Sequence, residues 1–410
     1  MVLSMKIVLV NKFLFPKGGD ANCTIATGAL LRSYGHSVFF WGMKHPDNMD
    51  FPHSHDFVEN IDYERAPGIL GKFKVVSKIL YSFEARRKFE RFILKTMPDV
   101  VHLNNFAHQI SPSILHVLKK YKIPAVMTMH DYKMTCPSYS LYSGGTPCEK
   151  CKGGSYYWCT IRKCTKDSYL KSSVNTLEMY LHHRILRIYE HIHTFISPSK
   201  FLAEKVVEMG LKGRFRHLPN FVDFDVFPER RQSEENSCTY FGRLSEGKGL
   251  VTLLDSVKGL GIHLKIIGEG PQKNNLMDKV TQENINNVSF LGFLTGMDLY
   301  NEICKSKFIV ITSECYENNP LSVIESFSMY RPVVGAKIGG IPELVIDGQT
   351  GSTFISGNKE DLREKIIEMT ESANLEDLGS KARLFVEENL SSKKHYHDLM
   401  EIYVQAICRQ

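Results

Sequence analysis

Short apolar runs that end in glycine or a polar residue recur along this chain, and a helical pattern follows most of them. Met5–Val10, Val38–Trp41, residues 98–102 and 124–129, and Thr194–Ser197 mark the first half. Residues 239–243, Ile262–Ile267, Val288–Gly292, Phe308–Ile311 and residues 332–335 mark the second. Runs this short and this apolar suit strands buried on both faces, and strands alternating with helices give parallel sheets covered on both sides. A chain of 410 residues has room for two such domains, each with its own core. The boundaries expected are 1–222 and 223–390, with 225–236, polar and charged, as linker and a last helix within 391–410.

No apolar run approaches the length of a membrane span, and the opening segment reads as a buried strand instead of a signal peptide. A cytoplasmic protein is expected. The first 220 residues carry 31 Lys and Arg against 17 Asp and Glu, a net +14, whereas the remainder carries 20 against 28, a net −8. A basic half points to an anionic partner there. No nucleic-acid motif accompanies the charge, so an anionic membrane surface is favoured and nucleic acid is not expected.

The richest stretch follows Phe308–Ile311. It reads strand, loop, helix: Pro320 suits the first helical position, and Leu321, Ile324 and Phe327 recur at helical spacing. Glu317, Asn318 and Asn319 then lie at a helix N-terminus, whose unpaired N–H groups and positive dipole end favour phosphate. With Glu317 in the loop and Glu325 on the helix, one carboxylate can face a sugar while the other accepts from ribose hydroxyls. In the sequence of residues 242–249, Arg243 and Lys248 project from a loop with Gly247 and Gly249 as cations suited to a diphosphate. His130 and Asp131 end the run 124–129, and His102, a weaker candidate, ends an equivalent one. Ligands of doubly wound sheets gather at such strand ends.

Residues 314–325, 241–249, 266–271, 332–335 and 339–343, in that order, resemble the donor half of the retaining glycosyltransferases called family 4. The resemblance spans essentially the whole chain. It implies the GT-B architecture, an α/β fold of two Rossmann-like doubly wound domains facing across a cleft, with the last helix crossing back to the first domain. It implies a retaining transfer from a UDP- or GDP-sugar to a glycan hydroxyl, the acceptor being lipid-linked. No catalytic metal is expected, because Arg243, Lys248 and the helix N-terminus would take the departing diphosphate. His130 matches a histidine that contacts the donor sugar, Gly18 and Gly19 match the glycine loop of the acceptor-side domain, and backbone near Gly268, Phe293 and Leu294 would cradle the base. Residues 219–223 match the family's PNGVD except that Phe221 replaces glycine. A nucleotide-sugar 2-epimerase or a non-catalytic scaffold of a polysaccharide-synthesis complex are the alternatives on this architecture.

Two features stand apart from these motifs. Residues 72–95 interleave Val76, Ile79, Leu80, Phe83, Phe92 and Ile93 with Lys74, Lys78, Arg86, Arg87, Lys88 and Arg91, as in a basic amphipathic helix that covers a core, faces anionic lipid at the inner membrane, or does both. Residues 136–164 hold Cys136, Cys148, Cys151, Cys159 and Cys164. Crowded thiols in a reducing compartment suit structural zinc, with Cys148, Cys151, Cys159 and Cys164 preferred and Cys136 as substitute; free thiols or a redox role are the alternatives. The segment resembles a cysteine-rich insertion of polysaccharide-assembly members of the family.

Overall fold

The computed structural model describes residues 4–60, 68–231, 233 and 235–408. The first half supplies β1 (Lys6–Val10), β2 (Ser37–Trp41), β3 (Val100–Leu103), β4 (Ala125–Thr128), the hairpin β5 (Tyr142–Ser143) and β6 (Thr146–Pro147), β7 (Thr194–Ser197) and β8 (Phe215–His217). Its helices are α1 (Gly19–Ser33), α2 (Gly68–Leu80), α3 (Phe83–Thr96), α4 (Leu115–Lys120), α5 (Tyr157–Ile161), α6 (Tyr169–Tyr180) and α7 (Lys200–Glu208). The second half has β9 (Ser237–Phe241), β10 (His263–Ile267), β11 (Val288–Gly292), β12 (Phe308–Ile311), β13 (Val333–Ala336) and β14 (Gly351–Phe354). Between and after them come α8 (Leu250–Val257), α9 (Lys273–Gln282), α10 (Gly296–Lys305), α11 (Leu321–Ser328), α12 (Lys359–Glu371), α13 (Leu375–Asn389) and α14 (Ser392–Ile407).

Two six-stranded sheets result, ordered β2-β1-β3-β4-β7-β8 and β11-β10-β9-β12-β13-β14, with every pairing parallel. Central strands such as β3, β4, β7, β9 and β12 are buried along their whole length, as the unbroken apolar runs require. Strand order reverses between β1 and β3 in one sheet and between β9 and β12 in the other, so each sheet opens a crevice at the carboxyl ends of those strands.

Each sheet has its own apolar core. Although α14 ends the chain, its Tyr396, Leu399, Ile402 and Tyr403 belong to the first core. His36 Nε2 lies 2.9 Å from the Tyr396 hydroxyl, and His102 Nδ1 lies 2.7 Å from that of Tyr403. Phe221 accounts for its own departure from the family pattern: its φ is not positive, and its ring packs 4.3 Å from His395 at the start of α14.

Two local expectations are corrected. Pro320 is not the first helical residue but the extended residue capping α11, with ψ at 119°. The stretch 72–95 is two helices, because Ser82 breaks it and its hydroxyl accepts from the Ala85 N–H as the N-cap of α3. The side chains of Lys72 and Lys74 lie outside the described residues. Of the remaining cations, Lys78 and Lys88 pair with Glu84, while Arg91 and Lys95 pair with Asp56.

Replacing Tyr403 by Phe keeps the ring but strands His102 in the core. A loss of roughly 1–3 kcal/mol in unfolding free energy is expected from denaturant titration, and unchanged stability would show that the hydroxyl does not anchor α14.

Candidate active site

The crevice between β9 and β12 is built by close backbone approach. Gly249, at φ +66°, leaves no room for a side chain, since a Cβ there would stand 1.8 Å from the Thr312 carbonyl. Glu314 N–H donates to the Gly247 carbonyl at 2.7 Å and the Thr312 hydroxyl donates to that of Lys248 at 2.8 Å, so the loops after β9 and β12 are locked edge to edge. Gly340, from the turn after β13, backs onto the Asn318 carbonyl and donates its N–H to the backbone carbonyl of Glu317 at 2.9 Å.

That locking brings Lys248 and Glu317 into an ion pair, with the Ser313 hydroxyl donating to the same carboxylate oxygen at 2.6 Å. Burial alone would raise the Glu317 carboxyl, but Lys248 and Ser313 hold it below its ordinary value. Burial likewise opposes charge on Lys248, and Glu317 raises it above its ordinary value. Both groups are therefore charged and mutually satisfied. Arg243 is exposed at the rim of the same loop.

Glu325, one turn into α11, lacks such a partner. Its carboxyl is pushed up to about 7 by burial, and no hydrogen bond to it is found among the described residues. Gly268 follows β10, where a Cβ would stand 1.9 Å from the Gly242 carbonyl. Phe293, 72% exposed, and the partly buried Leu294 follow β11 at the open edge of the same crevice.

The first domain faces this crevice. A methyl group at Gly19 would touch Leu321 at 3.8 Å, which puts the glycine loop directly against the N-terminus of α11, with Gly18 extended before it. His130 Nε2 lies 2.9 Å from the Asn104 side-chain oxygen, and burial lowers its pKa, so the neutral ring donates there and keeps Nδ1 as an acceptor. Burial raises the neighbouring Asp131, which accepts from Lys133 N–H at 2.8 Å. Both line a recess with Asn104, Phe106 and Lys133. His102 is not part of it: buried between Tyr403 and Thr128, with its pKa lowered to about 3 by burial, it is structural.

Asn318 and Asn319, expected to face the donor, turn their side chains to the first domain. Asn318 accepts from Ser199 Oγ at 2.8 Å and donates to the Met129 carbonyl at 3.0 Å; Asn319 accepts from Asn220 N–H at 3.0 Å. Glu343 caps α7 by accepting from Lys200 and Phe201 N–H at 2.9 and 2.7 Å. Sequence reasoning missed Ser199, Ser313 and the capping part of Glu343, and it missed Asp20. Asp20 sits one residue past the glycine loop, with a buried oxygen that has no partner among the described residues. An acidic residue in the first turn of a helix after a glycine loop was the available signal.

In the cysteine segment all five thiols are free, with those of Cys159 and Cys164 in hydrogen-bond contact. No group of three His, Cys, Asp or Glu side chains among the described residues is placed to hold a metal ion. Leu141, Cys151, Tyr156 and Cys159 are buried in the first core, and Asn175 ties Pro137 and Thr165 to α6.

The sequence pattern of Glycosyltransferase Family 4 matches residues 17–226, and that of Glycosyl transferases group 1 matches 222–385. The chain belongs to glycosyltransferase family 4. An uncharacterised glycosyltransferase of Methanocaldococcus jannaschii is 27% identical over 46% of this chain, which spans about half, 53%, of that relative. An uncharacterised 42.6 kDa protein in the cps region of Klebsiella pneumoniae is 24% identical over 83% of this chain and 87% of its own length. Anabaena HepE, in a structure with UDP and glucose, superposes with a TM-score of 0.65 at 18% identity over 98% of this chain and 100% of that one. The protein is a glycosyltransferase of GT-B fold.

Glu325 offers a test that needs no substrate. Because the folded protein holds this proton more tightly than the unfolded chain does, the penalty for ionising it is absent below the ordinary carboxylate range and complete above about pH 7. Glu325→Gln should therefore gain stability over the parent, on the order of 2 kcal/mol, between about pH 5 and pH 8. A stability difference that stays flat with pH in chemical denaturation would contradict the buried, unpaired carboxyl.

Proposed function

We propose that this glycosyltransferase moves a hexose from a UDP- or GDP-sugar to a hydroxyl of a lipid-linked glycan, with retention, in cell-surface polysaccharide assembly at the cytoplasmic face of an anionic membrane. The observation that carries the reading is the meeting of Lys248, Glu317 and the α11 N-terminus at the switch point of one sheet, directly against the glycine loop of the other. The UDP and glucose in the Anabaena structure support a nucleotide-sugar donor.

In this reading the diphosphate lies over the α11 N-terminus, and Lys248 turns from Glu317 toward it as negative charge grows on the leaving oxygen. Arg243 supplies a second cation from the rim. The carboxylate of Glu317, released from Lys248 and still held by Ser313, orients the hydroxyls of the donor sugar. Glu325 accepts from the ribose, which favours its ionised form, and Phe293 and Leu294 flank the base. His130 offers Nδ1 to the sugar from the opposite wall. With Glu317 occupied by the sugar hydroxyls, the acceptor attacks from the face that the diphosphate leaves, and the leaving phosphate oxygen takes the acceptor proton.

Lys248→Ala and Arg243→Ala should each lower kcat by roughly 100-fold. A panel of UDP- and GDP-sugars with lipid-linked acceptors, read by mass spectrometry and anomeric NMR, supplies the assay. Unchanged kcat in both variants, or a product of inverted anomeric configuration, would overturn the assignment.

A further inference from the structure

The helix that follows the cysteine segment is inside out. Along α6 and the π-helical turn Leu181–Ile185 that continues it, the apolar residues Leu170, Val174, Leu177, Leu181 and Ile185 recur at intervals of three or four and so share one face. Three of these are turned to solvent, Leu170 being 71% exposed, Leu177 51% and Ile185 70%, with Val174 and Leu181 half-buried between them. The buried face carries the polar residues Ser172, Asn175, Glu178 and His182 beside a single apolar one, Met179. Ordinary surface helices have the reverse pattern, and a solvated apolar stripe on a monomer calls for a partner.

The buried polar face is paired in part from within, with Glu178 Oε1 and His182 Nδ1 left without a partner among the described residues. Glu178 accepts from Lys133 at 2.8 Å and lies 2.9 Å from His108 Nδ1, while His182 Nε2 is 2.7 Å from the Leu80 carbonyl. Lys133 lines the recess beside His130, so this one helix joins the stripe outside to the acceptor-side wall inside.

The surroundings of the stripe indicate the occupant. Arg162, Lys163, Lys166 and Lys171 flank its first turn in sequence and Arg184 and Arg187 its last, where Arg187 pairs with Glu190 and Arg184 donates to the Gly153 carbonyl; Asp167 and Glu190 are the exposed acids between residues 162 and 190. The Lys163 ammonium stands 4.4 Å over the ring of Tyr169, itself 59% exposed. Apolar and aromatic side chains bordered by cations fit the boundary between acyl chains and anionic headgroups. A second copy docked stripe to stripe would bring two sets of six cations together. A glycan would leave the aliphatic side chains without a match.

We infer that the Leu170–Ile185 face seats the enzyme on an anionic bilayer, with the stripe in the acyl boundary and the flanking cations among the headgroups. The cations of α3, largely ion-paired, have at most an auxiliary part. The inference rests on the proposal that the acceptor is lipid-linked only for its purpose; binding is measured without donor or acceptor, so failure of either reading is seen separately.

The test is co-sedimentation of the full chain with vesicles of phosphatidylcholine alone or containing about 30% phosphatidylglycerol. The parent should bind the anionic vesicles and lose binding as salt is raised. The triple variant Leu170→Ser/Leu177→Ser/Ile185→Ser should bind roughly 10-fold more weakly or worse, and Lys163→Gln/Lys166→Gln/Lys171→Gln should lose the preference for anionic lipid. Every position changed is exposed except Lys163, which is half-buried, and a thermal transition matching the parent's confirms the fold of each variant. If the serine variant fails to fold, the glutamine variant alone decides. Anionic binding that persists in the folded variants overturns the proposal. So does a parent dimer in sedimentation velocity that the serine variant dissolves, since the stripe would then belong to a second copy.

Discussion

The pairing of Lys248 with Glu317 is the contact around which the donor half is arranged. A lysine and a glutamate partly withdrawn from water are each costly, and their proximity, with Ser313, offsets that cost only while all three are held in place. The surrounding backbone does the holding. Gly249 against Thr312, Gly247 bonded to Glu314, and Gly340 against Asn318 allow approaches that no other residue permits, and the hydrophobic strands beneath fix the loops from which they come. The pair stores a cation at the place where a departing diphosphate would need one. A neutral site would have to recruit that charge from solvent during the reaction.

The same loop also closes the molecule. Asn318 and Asn319 bind backbone and side chains of the first domain, Glu343 caps α7, and Tyr316 donates to Glu149 at 2.8 Å. Polar bonds of this kind break and re-form more readily than an apolar interface does, which suits a cleft that must admit a donor and release a nucleotide. The C-terminal helix works in the opposite sense, because its apolar face is embedded in the first core and Tyr396 and Tyr403 bond to buried histidines.

Much of this was legible in the residues. Parallel strands buried on both faces leave unbroken apolar runs, and loops that must touch backbone to backbone leave glycines, so all but the edge strands β8 and β14 of the two sheets and the positions of Lys248, Glu317 and Glu325 could be read directly. What escaped depends on partners distant in sequence. Nothing local in Asn318 or Asn319 says that their amides reach Met129 and Asn220. The split at Ser82 depended on a cap weaker than the periodicity around it. The anchors of the cysteine segment, Leu141 and Tyr156, are sparse, and their cover comes from elsewhere in the domain. For α6 the periodicity was visible, but which face turned inward was decided by Lys133 and His108, far upstream.

The central claim is that Lys248 exchanges Glu317 for the diphosphate of the donor. Calorimetric titration of a nucleoside diphosphate and of its parent nucleoside, with Glu317→Gln and then with Lys248→Met added so that no unpaired carboxylate is left, isolates that exchange. The account predicts that adding Lys248→Met weakens the diphosphate by about 10-fold or more and leaves the nucleoside unchanged. An equal loss for both ligands, or no loss for the diphosphate, would contradict it.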